Sequence, residues 1–219
     1  VRAPGDYSSP RTERLSDEQT ITRFAHAATT AKITSLPRRS AKTRGRLRYQ
    51  TEDRFPEPYL VLRSVVDDAG RVWMQVRIPG RPNGRKGWVP QAALSELYVV
   101  ETFLRIERRR ARATLFKRGR KIWSSRIGYG KPGTPTPAGR FIVREKLRAG
   151  GGAYGPWAFG TSAYSRLSDW PGGGVIGMHG TNQPELIPGR PSHGCVRVPN
   201  AKIRRLARLM PVGTPVRIL

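Results

Sequence analysis

Cys195 is the only cysteine of the 219 residues, and two of the three histidines, His179 and His193, precede it by sixteen and two positions. A thiol becomes a nucleophile as its thiolate, and a neighbouring imidazole promotes that by taking the proton and staying close as a cation. The window reads His179-Gly180-Thr181, then Pro191-Ser192-His193-Gly194-Cys195-Val196-Arg197. Gly194 leaves the backbone beside the sulfur uncrowded, so local N–H groups can point at a developing oxyanion. If the segment is extended, Arg197 faces the same way as Cys195 and offers positive charge to a carboxylate-bearing substrate. Taken singly, each residue has a blander role: a structural histidine, a buried small apolar cysteine, a surface arginine. Their concentration in one window points to covalent catalysis. A metal site built from His179, His193 and Cys195 has no obvious fourth ligand or second shell, so none is expected.

These residues need a scaffold, and the chain reads as mostly strand. Residues 1–44 are rich in Arg, Ser, Thr and Pro and read as an extension or linker, with one short helix over 16–28. Residues 45–97 carry alternating apolar runs at 59–63 and 72–77, separated by the turn signal Asp67-Asp68-Ala69-Gly70. Residues 98–219 continue with strand candidates at 103–107, 113–117 and 121–125, and a turn at Arg118-Gly119-Arg120. A Gly- and Pro-dense loop spans 128–139, and a strand resumes at 141–143. Residues 148–174, with Tyr154, Trp157, Phe159, Tyr164 and Trp170 among many glycines, read as a structured flap. One helix is predicted from an Asn200 N-cap through Ile203, Leu206, Ala207 and Met210, closed by Pro211 and Gly213. A last strand is expected over 214–218.

The charge is extreme, with 41 Lys and Arg against 15 Asp and Glu, formally +26. Such a field favours polyanions, but it speaks to association rather than fold and does not choose a partner. No stretch reaches the length of a membrane span. A chain that starts at Val1, without a basic-then-apolar leader, is expected to be a processed or trimmed product.

Two separated motifs, His179-Gly180-Thr181 and Ser192-His193-Gly194-Cys195-Val196-Arg197, resemble the signature of the L,D-transpeptidase (YkuD-type) family. The upstream run Thr134-Pro135-Thr136-Pro137-Ala138-Gly139-Arg140-Phe141 resembles that family's Thr-Pro-x-Gly-x-Phe loop and strand. The likeness covers residues 98–219. It implies a mixed β-sandwich catalytic domain with one C-terminal helix. The run from Trp73 through Gly87-Trp88-Val89 is similar to bacterial SH3-like domains, implying a small β-barrel at 45–97. There the tryptophans either bind wall material or fill a core, and tryptophan burial favours the core.

The resemblance further implies a mechanism. Cys195 attacks the third residue of a donor tetrapeptide stem and His179 passes the proton to departing D-Ala. The Gly180 carbonyl fixes the imidazole tautomer, and the N–H groups of His193, Gly194 and Cys195 hold the oxyanion. Ser192, His193 and Arg197 shape the thiol loop and bind substrate carboxylates, Thr181 also binds substrate, and Tyr154 and Trp157 wall the flap. It implies no cofactor, peptidoglycan stem peptides as partners, anionic wall polymers as further partners, and acylation by carbapenems and related β-lactams. It also implies a location outside the cytoplasmic membrane, in the wall or periplasmic space. No nucleic-acid partner is expected. Wall endopeptidases of the papain-like kind place the cysteine before the histidine, the reverse of the order here. A non-catalytic anionic-polymer binder is the remaining alternative; it predicts salt-sensitive binding indifferent to Cys195→Ala.

Overall fold

The computed structural model describes residues 12–167 and 171–219. An eight-stranded sheet holds β1 (Thr12–Arg14), β2 (Thr22–Ala25), β3 (Lys32–Thr34), β4 (Thr43–Arg46), β5 (Tyr59–Val66), β6 (Val72–Arg77), β7 (Lys86–Pro90) and β8 (Tyr98–Val100). Its order is β4-β3-β7-β6-β5-β2-β8, with β1 also on β5. The 67–70 turn closes the β5–β6 hairpin as expected. Asp67 accepts hydrogen bonds there from the N–H groups of Ala69 and Arg71 and from the Trp73 indole. Trp73 and Trp88 are buried beside Val65, so they act as core rather than as a wall-binding surface.

Two expectations for the first 44 residues fail. No helix forms over 16–28. Asp17 does receive the N–H groups of Gln19, Thr20 and Ile21, a pattern that imitates a helix start, but it closes a tight turn instead. The chain then enters β2, which sits between β5 and β8. Residues 12–46 are likewise no linker, since β3 and β4 extend the same sheet beyond β7. Strands of three or four residues carrying Lys, Arg and Thr are too short to show apolar alternation, which hid them.

The second sheet has ten strands: β9 (Thr102–Glu107), β10 (Arg112–Lys117), β11 (Arg120–Arg126), β12 (Gly128–Gly130), β13 (Gly139–Arg148), β14 (Trp157–Tyr164), β15 (Val175–His179), β16 (Gly189–Ser192), β17 (Val196–Arg197) and β18 (Pro215–Ile218). The order is β11-β10-β9-β18-β13-β14-β15-β17-β12-β16. It is mixed, with β9–β18, β15–β17 and β12–β16 parallel and the other pairs antiparallel. Helix α1 (Asn200–Leu209) turns Ile203, Leu206 and Ala207 into a core shared with Leu104, Leu115, Phe141, Phe159 and Val196. Asn200 is not the N-cap; Pro199 is, and the Asn200 side chain is engaged elsewhere. Much of the expected 148–174 flap is strand β14, whose Phe159 and Tyr164 are buried. Trp170 lies outside the described residues.

The sheets meet through apolar and ionic contacts. Phe24 and Leu60 of the first, and Val100 at its edge, pack with Ile142 of β13. Beside them Arg144, 1% exposed, pairs with Glu57 and with Glu52 at 2.8 Å, and donates to the Tyr164 hydroxyl at 3.1 Å.

Candidate active site

The parallel register of β15 and β17 sets His179 opposite Arg197 and Met178 opposite Val196. Cys195, one residue ahead of β17, therefore emerges at the end of the sheet beside the imidazole strand. Both side chains line one cavity of about 210 Å³, together with Ser192, His193, Arg197, Tyr154 and a wall formed by Ser165 and Gly174–Ile176. Cys195 is a half-buried residue, and its sulfur accepts the Gly177 N–H at 3.4 Å.

His179 is buried, and its Nδ1 lies 2.6 Å from the Gly180 carbonyl oxygen. A carbonyl only accepts, so Nδ1 carries the hydrogen and Nε2 is left as the basic nitrogen. Burial lowers the imidazole pKa below its ordinary value; the Gly180 bond opposes this and the Arg197 charge adds to it. Burial also raises the Cys195 thiol above its ordinary value, against the Gly177 N–H and Arg197. Both effects favour a resting pair of neutral thiol and neutral imidazole over an ion pair. The Tyr154 ring, 53% exposed, leans on the His179 ring with centroids 4.8 Å apart.

The loop carrying the thiol is held by side chains. Ser192 Oγ donates to the Cys195 carbonyl at 2.6 Å and accepts the Gly194 N–H at 3.1 Å. Thr136 Oγ1 donates to the Gly194 carbonyl at 2.6 Å and accepts the Gly130 N–H at 2.9 Å. Gly194 has φ +128°, and a β-carbon there would strike Ile176, so only glycine fits. Of the N–H groups expected to face an oxyanion, that of Gly194 is thus already paired with Ser192. Arg197 donates to the Gln183 amide oxygen at 2.9 Å, and its Nε is buried with no hydrogen-bond partner among the described residues.

Two expected substrate contacts do not reach this cavity. Trp157 lies across the 149–157 segment in a separate concavity with Arg148, Asn182 and Arg204, its ring covered by Lys146 and Arg148. It begins β14, and its aromatic character alone did not reveal on which side of the segment the ring falls. Thr181 is buried; its N–H donates to Asn200 Oδ1 at 2.9 Å and its hydroxyl accepts the Gln183 N–H. Thr136 and Asn200 went unassigned as site residues. Thr136 lies in the Thr-Pro run that resembles the family's, whereas Asn200 offers only a helix-start signal.

Residues 101–218 match the model of the L,D-transpeptidase catalytic domain, YkuD. The chain belongs to that family. The YkuD domain is 33% identical to YkuD of Bacillus licheniformis over 104 residues, 48% of this chain and 57% of that protein. It is also 33% identical to YkuD of Bacillus subtilis over 105 residues, 48% of this chain and 58% of that one. The chain thus spans less than two thirds of the length of these curated relatives. Among solved structures, the catalytic domain of an E. faecium L,D-transpeptidase is 26% identical with a TM-score of 0.40, covering 54% of this chain and 96% of that one. A crystal structure of an Enterococcus faecium L,D-transpeptidase mutant is 19% identical with a TM-score of 0.46, covering 89% and 76%. Overlaps this loose add nothing to the family assignment, which rests on the match over residues 101–218.

Proposed function

We propose that this chain is a peptidoglycan L,D-transpeptidase that works through a Cys195 thioester. The observation that carries the reading is the sharing of one cavity by the thiol and an imidazole whose Nδ1 is committed to the Gly180 carbonyl. With that tautomer, Nε2 takes the thiol proton as Sγ attacks the carbonyl carbon of the third residue of a donor tetrapeptide stem. The tetrahedral oxyanion is met by backbone N–H groups of the 193–195 turn, with Cys195 the foremost donor because Gly194 is engaged by Ser192. As the C–N bond breaks, the imidazolium returns its proton to the departing D-Ala amine and leaves a thioester. An amine of a second stem then attacks that thioester, His179 accepts the amine proton, and Sγ departs and is reprotonated. The product is a 3-3 cross-link; water as acceptor gives carboxypeptidase activity. Arg197, whose guanidinium meets a neutral amide rather than a carboxylate, pairs with a carboxylate of the stem. Tyr154 covers the His179 ring and closes the cavity over the peptide.

The same thiol is the target for carbapenem acylation, and the site of action is the wall, outside the cytoplasmic membrane. Anionic wall polymers are held by a groove of about 230 Å³ lined by Arg108, Arg109, Lys131 and Arg190. No carboxylate side chain lines it; Arg108 donates there to the Leu219 and Thr136 main-chain oxygens and Arg190 to the Tyr129 hydroxyl, partners that leave the net positive charge facing a polyanion. The direct test supplies a purified tetrapeptide stem and follows D-Ala release and dimer mass. Wild type yields both, and Cys195→Ala yields neither while keeping its far-UV spectrum. Undiminished turnover by Cys195→Ala would overturn the reading.

A further inference from the structure

One wall of the catalytic cavity is held only in part by the catalytic sheet. Ser165 and Gly174–Ile176 form it: Val175 and Ile176 open β15 and are tied to β14, whereas Ser165 and Gly174 are the ends of the connection between the two strands. Ser165 N–H donates to the Gly174 carbonyl at 2.8 Å, which pins the two arms together at their base. Around that bond three carbonyls converge on one side chain from the other sheet. Arg81, in the β6–β7 connection, donates from Nε to Ser165 O at 3.1 Å and from Nη2 to Leu167 O and Gly173 O, each at 2.9 Å. Its guanidinium also lies over the Tyr164 ring, 5.1 Å from the centroid. Two residues on, Asn83 pairs with the Tyr164 backbone in both directions, Nδ2 to O and N–H to Oδ1, at 2.9 Å each.

Carbonyl dipoles aimed at one point repel unless a cation occupies it. Arg81 supplies that cation, in a planar fork that reaches carbonyls on both arms at once. Gly174 adopts φ +78°, and a β-carbon there would run into the Leu167 carbonyl and the Arg81 guanidinium, so the sequence leaves room for this approach. The held wall continues into Ile176, which packs where a Gly194 β-carbon would sit, next to the proposed nucleophile.

We propose that Arg81 and Asn83 are positioning residues: the first sheet fixes the substrate-facing wall of the catalytic cavity through them. The unit of residues 12–100 is then part of the catalytic apparatus rather than a spacer. The inference of an effect on turnover rests on the reading of the site given under Proposed function.

Arg81→Ala, Arg81→Lys and Asn83→Ala in the full chain test it. Hydrogen exchange of the amides of Ser165, Gly174, Val175 and Ile176 is the first readout and does not depend on any activity. Arg81→Ala should speed exchange of these amides about tenfold or more, with β9–β11 unchanged, and Arg81→Lys should restore little, because an ammonium lacks the fork. With a tetrapeptide stem, KM should rise about ten- to a hundredfold with a smaller fall in kcat, as a misplaced binding wall requires. Alkylation of Cys195 by iodoacetamide, which needs only the thiol, should change less than about twofold. If Arg81→Ala fails to fold, Asn83→Ala removes the weaker half of the clamp and should give the same pattern in smaller measure. Unchanged exchange in the wall, or equal losses in stem turnover and iodoacetamide alkylation, would overturn the clamp. A wild-type protein inert toward the stem would sink the transpeptidase reading while leaving the exchange result to judge the clamp alone.

Discussion

In the proposed mechanism His179 carries the proton chemistry, and its surroundings make a definite pH statement. Burial lowers its pKa below the ordinary imidazole value, and catalysis requires the neutral base. The acid limb of acylation by a carbapenem should therefore fall below about pH 6.5, the ordinary imidazole value, and stopped-flow rates across pH 4.5 to 8 would show it. A limb centred above that value would contradict the burial argument. The same depression favours the neutral ring in the folded state. Its contribution to stability is therefore present above the unfolded pKa and lost as pH falls through the folded one. Cys195 runs the other way: burial raises it, so the thiol stays protonated at neutral pH until the base acts. At this scale the sequence was most informative. Cys195, His179, Ser192 and Arg197 line one cavity as their motif implied, because residue types with scarce alternatives carry strong signals. Trp157 misled because an aromatic ring is suited equally to a flap wall, a core or a cation shelf, and here it is the last.

At the scale of elements, the turn after β15 is fastened to the start of α1. Asn200 Oδ1 accepts the Thr181 N–H, and so steadies the His179-Gly180-Thr181 turn whose Gly180 carbonyl orients the imidazole. Asn200→Ala removes the acceptor and leaves the partly buried Thr181 N–H unpaired, which should cost about 1–3 kcal/mol in chemical unfolding. It should also lower the acylation rate, while Asn200→Asp, which keeps the acceptor, should recover most of both. Hairpins with a turn signature between alternating runs were legible, as β5–β6 and β10–β11 show. The latter closes through Arg118 and Gly119, both at positive φ, as a two-residue hairpin demands. The strands β2, β3 and β4 were not legible, because three or four residues rich in Lys, Arg and Thr give no period, and Asp17 imitates a helix start. Nor did the glycine and aromatic content of 148–174 announce that its middle is strand β14.

For the whole molecule, the decisive feature is the set of ion pairs in which Arg140 and Arg144 of β13 reach Glu18, Glu52 and Glu57 of the first unit. Glu18 is held by Arg77 at 2.7 Å and by Arg140 at 3.1 Å, and burial opposes but does not overcome the resulting fall in its pKa. Glu52 is likewise desolvated, yet the Tyr164 hydroxyl and Arg144 bring its pKa down to about 2. Both depressed carboxylates contribute stability that is complete above their unfolded value near pH 4.5 and is lost as pH falls through each folded value, which for Glu52 is about 2. Glu145 opposes them: burial chiefly, with Asp53 nearby, raises its pKa, so its contribution holds below the unfolded value and is lost as pH rises through the folded one. Two strongly paired carboxylates outweigh one, and Tm should fall steadily from about pH 5 to pH 2, more steeply than in Arg144→Met, where the Glu52 partner is gone. A Tm independent of pH over that range would show that these pairs do not join the sheets. None of this was readable beforehand, since ion pairs between residues 87 or 92 positions apart leave no local pattern in a sequence this rich in arginine.

In the proposed reaction Cys195 becomes a nucleophile because His179 removes its proton. Intact-protein mass spectrometry after incubation with a carbapenem tests it most directly. Wild type should gain the mass of one ring-opened carbapenem, Cys195→Ser should gain none, and His179→Ala should acylate about a hundredfold or more slowly. No adduct on wild type, an adduct that survives in Cys195→Ser, or a rate unchanged in His179→Ala would contradict the account.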